Sequence, residues 1–433
     1  MVSRARTRSP ILLLFLLASL SPAATRVLYG PADVVRLAVG STPVSSSRQE
    51  EAKARLYQRT RWPNPVVSWD RERIRVRGEA QGYHQQLVLV QQQVLDPARR
   101  KAHRRSGLRE VDLARHEDRA ERRREAIDAL RSFLCALEAQ EVQKELTAGA
   151  VIWPGRPTSA RSASTNWSAE SEGLRARQML AEAKAQASST RSVLAAELES
   201  PLPAAAELSA LGLPLPPIGE LLGDSLSDRL LAEVLGPVSS TGAQATQAAH
   251  PELALGAARL AHCEAEVSVA KAEGRIRWTL GGGYVGYDQS DLDPQGGHYV
   301  NVAIDLPLWD DGTASVRESR AQAEAAREEL EQAQREHENK VVTRGKDLAA
   351  AAAAWSELLA GERPRVREAV RDATSPEHSG RATATPARAR QYVSEFRVLC
   401  VRAWVRLLQA RLALGDALGI EEALLVPGPE GNE

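Results

Sequence analysis

The sequence predicts a mainly α-helical fold with a β-barrel portion, laid out as two structural repeats, each a strand pair plus long helices. Three observations predict it. Aromatic residues are 4% of the 433, with 3 Phe, while charged residues are 26%. That is the composition of long helices packed through small residues and heptad seams, not of an ordinary compact core. Between Arg275 and about Val342 the apolar period changes from two to seven without a break. The order of strands, helices and breaks in the first half of the chain then recurs in the second, and such a recurrence fixes the architecture.

The chain opens with an address. Arg4, Arg6 and Arg8 precede an apolar core, Ile11 to Leu20, and a small-residue cleavage site at Ser21-Pro22-Ala23, so residues 1–23 read as a signal peptide. The apolar run is about ten residues, too short for a transmembrane helix. Losing three arginines and no acids takes the net charge from +0 to about −3. That balance does not favour nucleic acid as a partner. No Cys follows the core, so lipid attachment is not suggested, and any membrane segment of the exported chain has to be β.

Residues 24–200 form the first repeat. Pro43 opens a helix that stops at Trp62-Pro63-Asn64-Pro65, strands follow at Val66 to Val76 and Tyr83 to Gln92, and a long helix runs from about Ala98 to Ala148. Its clearest apolar row is Ile127, Leu130, Leu134 and Leu137. A break over Trp153 to Thr165 precedes a returning helix from Trp167 to about Leu198. Residues 201–249 are a connector rich in Pro, Gly and Ser, with one short helical piece at Ile218 to Leu235.

The second repeat, 250–426, is clearer. A helix from Pro251 carries Leu253, Leu260, Val267 and Gly256, Cys263, Ala270 on two heptad rows. One strand follows at Trp278 to Tyr287, with Trp278, Leu280 and Tyr284 on one side. In the next, Tyr299 to Leu308, one face reads Val300, Val302, Ile304, Leu306, Leu308 and the other Tyr299, Asn301, Ala303, Asp305, Pro307. Strict alternation marks a strand with one apolar and one polar face. Asp310-Asp311-Gly312 makes the turn, Thr313 is a candidate N-cap, and the next helix shows the rows Val316, Ala323, Leu330 and Ser319, Ala326, Ala333. A break at Thr374 to Pro386 leads to a last helix with the seam Val393, Phe396, Cys400, Ala403, Leu407, Ala410 and Leu414. Residues 427–433 read as a disordered tail.

A helix of about 50 residues is about 75 Å long, and strands of about ten residues cross a bilayer when tilted. Four such strands cannot close a barrel, and open edges are not tolerated in lipid. Either the strands are soluble hairpins or several chains pool them; export and alternation favour pooling.

The segment Asn301 to Glu331 resembles the outer membrane efflux protein family, the TolC-like channels, in which a strand ends in Pro-Leu and an aromatic, then Asp-Gly leads into an Ala/Glu/Arg helix. Here these are Pro307, Leu308, Trp309, Asp311 and Gly312. His250-Pro251-Glu252 and Ala417-Leu418-Gly419 are similar to the family's helix opening and close, and Trp62 to Pro65 is similar to its heavy-metal efflux branch. The resemblance implies a homotrimer in the outer membrane of a Gram-negative bacterium. Its twelve pooled strands would form one barrel in outer-membrane lipid, continued by an α-helical tunnel across the periplasm, with 201–249 as an equatorial connector. The tunnel would be opened by a periplasmic adaptor docked to an inner-membrane pump, with efflux or type I secretion as the task. The protein would be a passive conduit, neither an enzyme nor a holder of cofactors. The alternative from a different class is a soluble periplasmic coiled-coil adaptor with a small strand domain.

Two stretches depart from the family pattern. The first strand pair carries Asp70, Arg71, Glu72, Arg73, Arg75 and Arg77, which argues for an extramembrane loop or a lumen wall in part of it, and Val94-Leu95-Asp96 replaces the Pro-Leu-aromatic motif. Counting from Gly380 as the glycine of the last helix–helix turn, the aspartates that narrow the pore in some relatives fall at Pro386 and Ala389. The candidate periplasmic gate is therefore basic, with Gly380, Arg381, Arg388 and Arg390.

Other patterns point to chemistry less well. Gly281, Gly283 and Gly286 spell GxGxxG but precede no helix, so they read as strand glycines. Asp288, Asp291 and Asp293 lack EF-hand spacing. The basic runs Arg99 to Arg105 and Arg122 to Arg124 sit among acidic neighbours and read as a solvated helix face; the functional reading is contact with lipopolysaccharide or an acidic adaptor. Cys135, Cys263 and Cys400 fall on apolar helix rows and read as buried thiols. His116 and His337 have no partner at metal-ligand spacing, and no catalytic arrangement emerges.

Overall fold

In the computed structural model the described residues are 28–40, 44–74, 83–94, 96–151, 163–198, 202, 207–208, 221, 250–288, 295–305, 312–374 and 386–419. The helices are α1 (Pro31–Gly40), α2 (Val44–Thr60), α3 (Pro97–Val151), α4 (Ala163–Glu197), α5 (Pro251–Glu273), α6 (Thr313–Thr374) and α7 (Pro386–Leu418). The strands are β1 (Leu28–Tyr29), β2 (Val66–Ile74), β3 (Tyr83–Val94), β4 (Glu207–Leu208), β5 (Arg277–Asp288) and β6 (Gln295–Asp305). From α2 onward, helix, two strands and two helices occur twice. None of these helices is long and apolar enough to cross a membrane. The signal peptide, the connector apart from Leu202, Glu207, Leu208 and Leu221, and the tail lie outside the described residues.

Two compact units emerge, and they cut across the repeats. One comprises Thr42–Arg123 and Ala243–Lys340; the other comprises Met1–Ser41, Arg124–Gly242 and Val341–Glu433. The first holds the four long strands in the antiparallel order β2-β3-β5-β6. Its helices pack through small side chains. On α6 between Val316 and His337, the residues not fully exposed are Val316, Ser319, Ala323, Ala326, Leu330, Ala333 and His337, spaced three and four apart. This is the heptad seam the sequence predicts. Gly256 on α5 admits it: a Cβ there would stand 3.0 Å from Leu330 Cδ1. On the other side, Leu56 of α2 lies against Gly107, and Ala52, Val111 and Ala114 form a small buried cluster between α2 and α3.

The second unit has the large core. Phe133 and Leu137 of α3, Leu194 of α4, Trp355 and Leu359 of α6, and Phe396, Cys400 and Trp404 of α7 all belong to it. The Trp355 and Trp404 rings meet at 5.5 Å and 51°, a tilted aromatic pair. Here β1 pairs in parallel with β4, and Val34 and Ala38 of α1 reach the same core. Neither element is predicted from the sequence: β1 is two residues long, whereas α1 carries a local signal in Pro31 at its start and Val34 and Ala38 one turn apart, both buried.

Two expectations need correction. The first backbone bond of α6 runs from Val316 N–H to Gly312 C=O at 3.0 Å, so Gly312 occupies the cap position and Thr313 is the first helical residue. Only Cys400 is buried; Cys263 is half-buried and Cys135 exposed, because α3 presents Cys135 at the edge of its apolar row. There Gln409 of α7 donates to its sulfur at 3.6 Å. The thiol of Cys400 is pushed up to about 12 by burial. His337, which the sequence leaves without a partner at metal-ligand spacing, packs its ring against His250 at 4.5 Å and 53°.

Candidate membrane face

Register assigns every strand residue to a side. On one side the rungs read Val94–Trp278–Ile304, then Gln92–Leu280–Val302, then Val67–Val90–Gly282–Val300, then Trp69–Val88–Tyr284–His298. The other side carries Ser68, Asp70, Glu72, Gln85, Gln91, Gln93, Thr279, Asn301 and Asp305, with Leu87 and Leu89 among them. The apolar side is open to its surroundings: Val300 is 83% exposed, Val302 53% and Ile304 44%. Val67, Trp69, Val88, Val90, Trp278, Leu280 and Tyr284 are exposed with them. A patch of this kind marks contact with lipid or another chain, because water does not tolerate so much contiguous apolar area on a monomer. From the Trp278 rung to the Tyr284 rung is about 20 Å along the strand.

Individual residues complete this face. Gln92 falls within it and satisfies its amide by donating to the Pro63 carbonyl at 2.7 Å. The strand glycines are covered by rings: Tyr284 lies over Gly296, and Tyr299 over Gly283, where a Cβ would also meet the Val88 carbonyl. Cross-strand aromatics of this kind shield glycine backbone. The GxGxxG residues are therefore strand residues of β5 and form no phosphate loop.

The first hairpin is better formed than its charges suggest. Strand β2 continues through Asp70 to Arg73 in unbroken pairing with β3, so that stretch is not a loop. Asp70 and Glu72 go to the polar side, whereas Arg71 and Arg73 follow Trp69 on the apolar side, at its hairpin end. Alternation at Val67, Trp69, Val88 and Val90 carried the signal, diluted by Leu87 and Leu89 on the opposite side. Arg75 and Arg77 lie outside the described residues.

Strands β2 and β6 are the sheet's edges, each paired on one side only among the described residues. At the strand-to-helix join Gly312 adopts φ +71, and a Cβ there would stand 3.1 Å from Gly274 Cα, so both conformation and space call for glycine. Leu306, Pro307, Leu308, Trp309 and Asp311 lie outside the described residues, as do Gly380 and Arg381. Arg388 falls in the first turn of α7, and Arg390 is exposed beside buried Ala389. Among the described residues no group of three or more His, Cys, Asp or Glu converges as a metal site.

No protein-family model matches the sequence, and no curated protein matches it. Solved structures do. The outer-membrane channel OprN superposes with a TM-score of 0.66 at 16% identity, over 90% of this chain and 89% of that one. The open state of the MtrE outer membrane channel of Neisseria gonorrhoeae gives 0.63 at 14%, over 90% and 88%. The outer membrane protein VceC of Vibrio cholerae gives 0.63 at 14%, over 90% and 96%. At such identities the likeness is one of fold, and the fold, over nearly the whole chain, is that of outer-membrane channels.

Proposed function

We propose that this chain is the outer-membrane channel of a tripartite efflux system, a passive conduit from periplasm to exterior. The observation that carries the reading is a four-stranded sheet with one broad exposed apolar side and two edges unpaired among the described residues. Such a sheet is stable in lipid only if neighbouring copies complete it, because each unsatisfied backbone group in hydrocarbon costs several kcal/mol. Three copies pool twelve strands. The apolar side then faces lipid, and the Asp70, Gln91 and Asn301 side lines water. Arg71 and Arg73 fall at the outer interface, where a cation costs only about 0–1 kcal/mol. Residues 24–200 and 250–426 are the two repeats and 201–249 the equatorial connector, with residues 1–23 directing export. A periplasmic adaptor and an inner-membrane pump supply opening and energy. The soluble-adaptor alternative leaves the Val300–Ile304 side without a cover.

The deciding experiment is fractionation of native-level protein followed by cross-linking. A sarkosyl-insoluble outer-membrane trimer supports the channel, and a soluble periplasmic monomer rejects it. Within this reading Arg388 and Arg390, with Gly380 and Arg381, form a basic periplasmic gate. Replacing Arg388 and Arg390 by Asp raises cation conductance in planar bilayers; unchanged selectivity removes them from the pore.

A further inference from the structure

Where the apolar rungs meet the helices, the first unit has an open cleft of about 530 Å³. It lies at the β3–β5 junction, in the middle of the sheet and away from the β2 and β6 edges that neighbouring copies would occupy. Val94, Pro97, Ile276 and Trp278 make its apolar wall, and Val94 and Trp278 are also the first rung of the exposed side, so cleft and membrane face are continuous. Its polar wall is Arg275 and Asp96, whose charged groups approach only to 3.7 Å, with the Arg275 side chain 60% exposed. Asp96 is already engaged: its carboxylate accepts the Ala98 N–H at 3.0 Å and caps α3. Arg99, one turn on, donates to the Glu273 carbonyl at 3.4 Å and so stands beside the same junction. Its proton affinity is lowered by burial and then by the charge of Arg277, with only Glu273 and Asp96 opposing. Over residues 96–101 and 273–276 there are four cations, Arg99, Arg100, Lys101 and Arg275, against two carboxylates. The junction thus has an excess of positive charge above an apolar slot that opens toward the membrane face.

We propose that this cleft binds an anionic phospholipid of the inner leaflet. Its phosphate lies against Arg275 and Arg99, and the first methylenes of an acyl chain lie along Val94, Ile276 and Trp278. The proposal rests on the outer-membrane reading above, which turns the helix end of the sheet toward the periplasm. There the facing leaflet offers phospholipid, and the partner of the basic run that begins at Arg99 is a lipid phosphate, not lipopolysaccharide. Charge complementarity selects the headgroup, and continuity with the apolar rungs selects a lipid over a free anion.

The test is native mass spectrometry of the full trimer released from vesicles of phosphatidylglycerol and phosphatidylethanolamine in equal parts. The wild type retains phosphatidylglycerol preferentially. The Arg99→Gln/Arg275→Gln double variant loses that preference by about fivefold for each cation removed. Arg275→Lys, which keeps the charge, retains part of it and separates loss of charge from loss of fold. Equal retention by wild type and double variant overturns the assignment. So does complete displacement of the lipid by excess inorganic phosphate, which would make this a free-anion site. An inserted trimer without lipid preference sinks only this cleft; a chain that never inserts sinks the channel reading as well.

Discussion

The two compact units solve the problem of burial in opposite ways. The unit containing Trp355 encloses large side chains, with Trp355 at 0%, Phe133 at 1% and Leu359 at 1% exposure. In the unit containing the sheet, the buried apolar residues are mostly Ala and Val, with Leu253 the largest, while Trp69, Leu280 and Val300 stand exposed. Ion pairs add to the small-residue seams between its helices: Arg48 to Glu121 at 2.6 Å, Arg55 to Glu110 at 3.1 Å, and Arg59 to both Glu110 at 3.2 Å and Glu266 at 3.6 Å. The exposed Arg48–Glu121 pair contributes about 0–1 kcal/mol, and the pairs on Glu110, whose side chain is 13% exposed, are partly sheltered; none is backed by a large aromatic core like that of the other unit. One unit therefore carries its stability within a single chain. The other leaves the apolar side of its sheet exposed.

The contrast breaks first at Trp355. Truncating it to Ala in a closed core costs about 3–5 kcal/mol, and it does so whether or not the protein is assembled. Urea titration of solubilised protein, monomeric or trimeric, should show the same large drop. A midpoint unmoved by Trp355→Ala would mean that this core is not what holds its unit together. The sheet behaves otherwise, and neighbouring residues reveal it. Val302→Arg puts a cation on the apolar side at a cost of about 2–4 kcal/mol near the bilayer midplane. Asn301→Arg puts the same cation on the polar side at little cost. In vesicles the first variant should lose trimer and the second should keep it. Equal loss from both would show that the two sides of β6 do not face different media.

How much of this was legible depended on whether a residue's partner lay nearby in sequence. The alternation of Val300, Val302 and Ile304 is a local period, and the sheet keeps it. The seam through Ala326 and Leu330 is likewise a period that packing obeys. The ends of α6 at Thr374 and of α7 at Pro386 follow from local breaks. Pro364 marks the opposite case. It lies inside α6, where a proline removes a backbone bond and favours a break. The helix continues because Leu359 and Val366 on either side are held in the core at 1% and 0% exposure. The pairing of β1 with β4 was invisible for another reason: Leu28 and Glu207 are far apart in sequence and neither strand is long enough to show a pattern. The candidate face was half legible, since the first hairpin's charges masked an alternation that pairing with β5 restores.

The smallest effect concerns the buried polar pair that no spacing rule could find. His250 precedes α5 and accepts the Glu252 N–H on its Nδ1 at 3.3 Å, so the cap requires that nitrogen to be unprotonated. His337 occupies a seam position of α6 and stacks on it. Burial first, then the charges of His250 and Lys340, hold the His337 imidazole below its ordinary value of 6.5, with Glu252 and Glu338 pulling the other way. The sign follows directly. A base whose proton affinity is lowered by folding makes the folded state bind fewer protons than the unfolded one. Stability is then full above about pH 6.5 and declines as the pH falls through and below that value. Hydrogen exchange at the Glu252 amide, corrected for its intrinsic pH dependence, should accelerate as the medium is taken from neutral to mildly acidic. His337→Leu, which fits an apolar seam, should flatten the response by removing the His337 ring. Exchange in the wild type that stays level through pH 5.5, or a His337→Leu profile identical to it, would mean that the ring pair is packing alone and that acid does not loosen the start of α5.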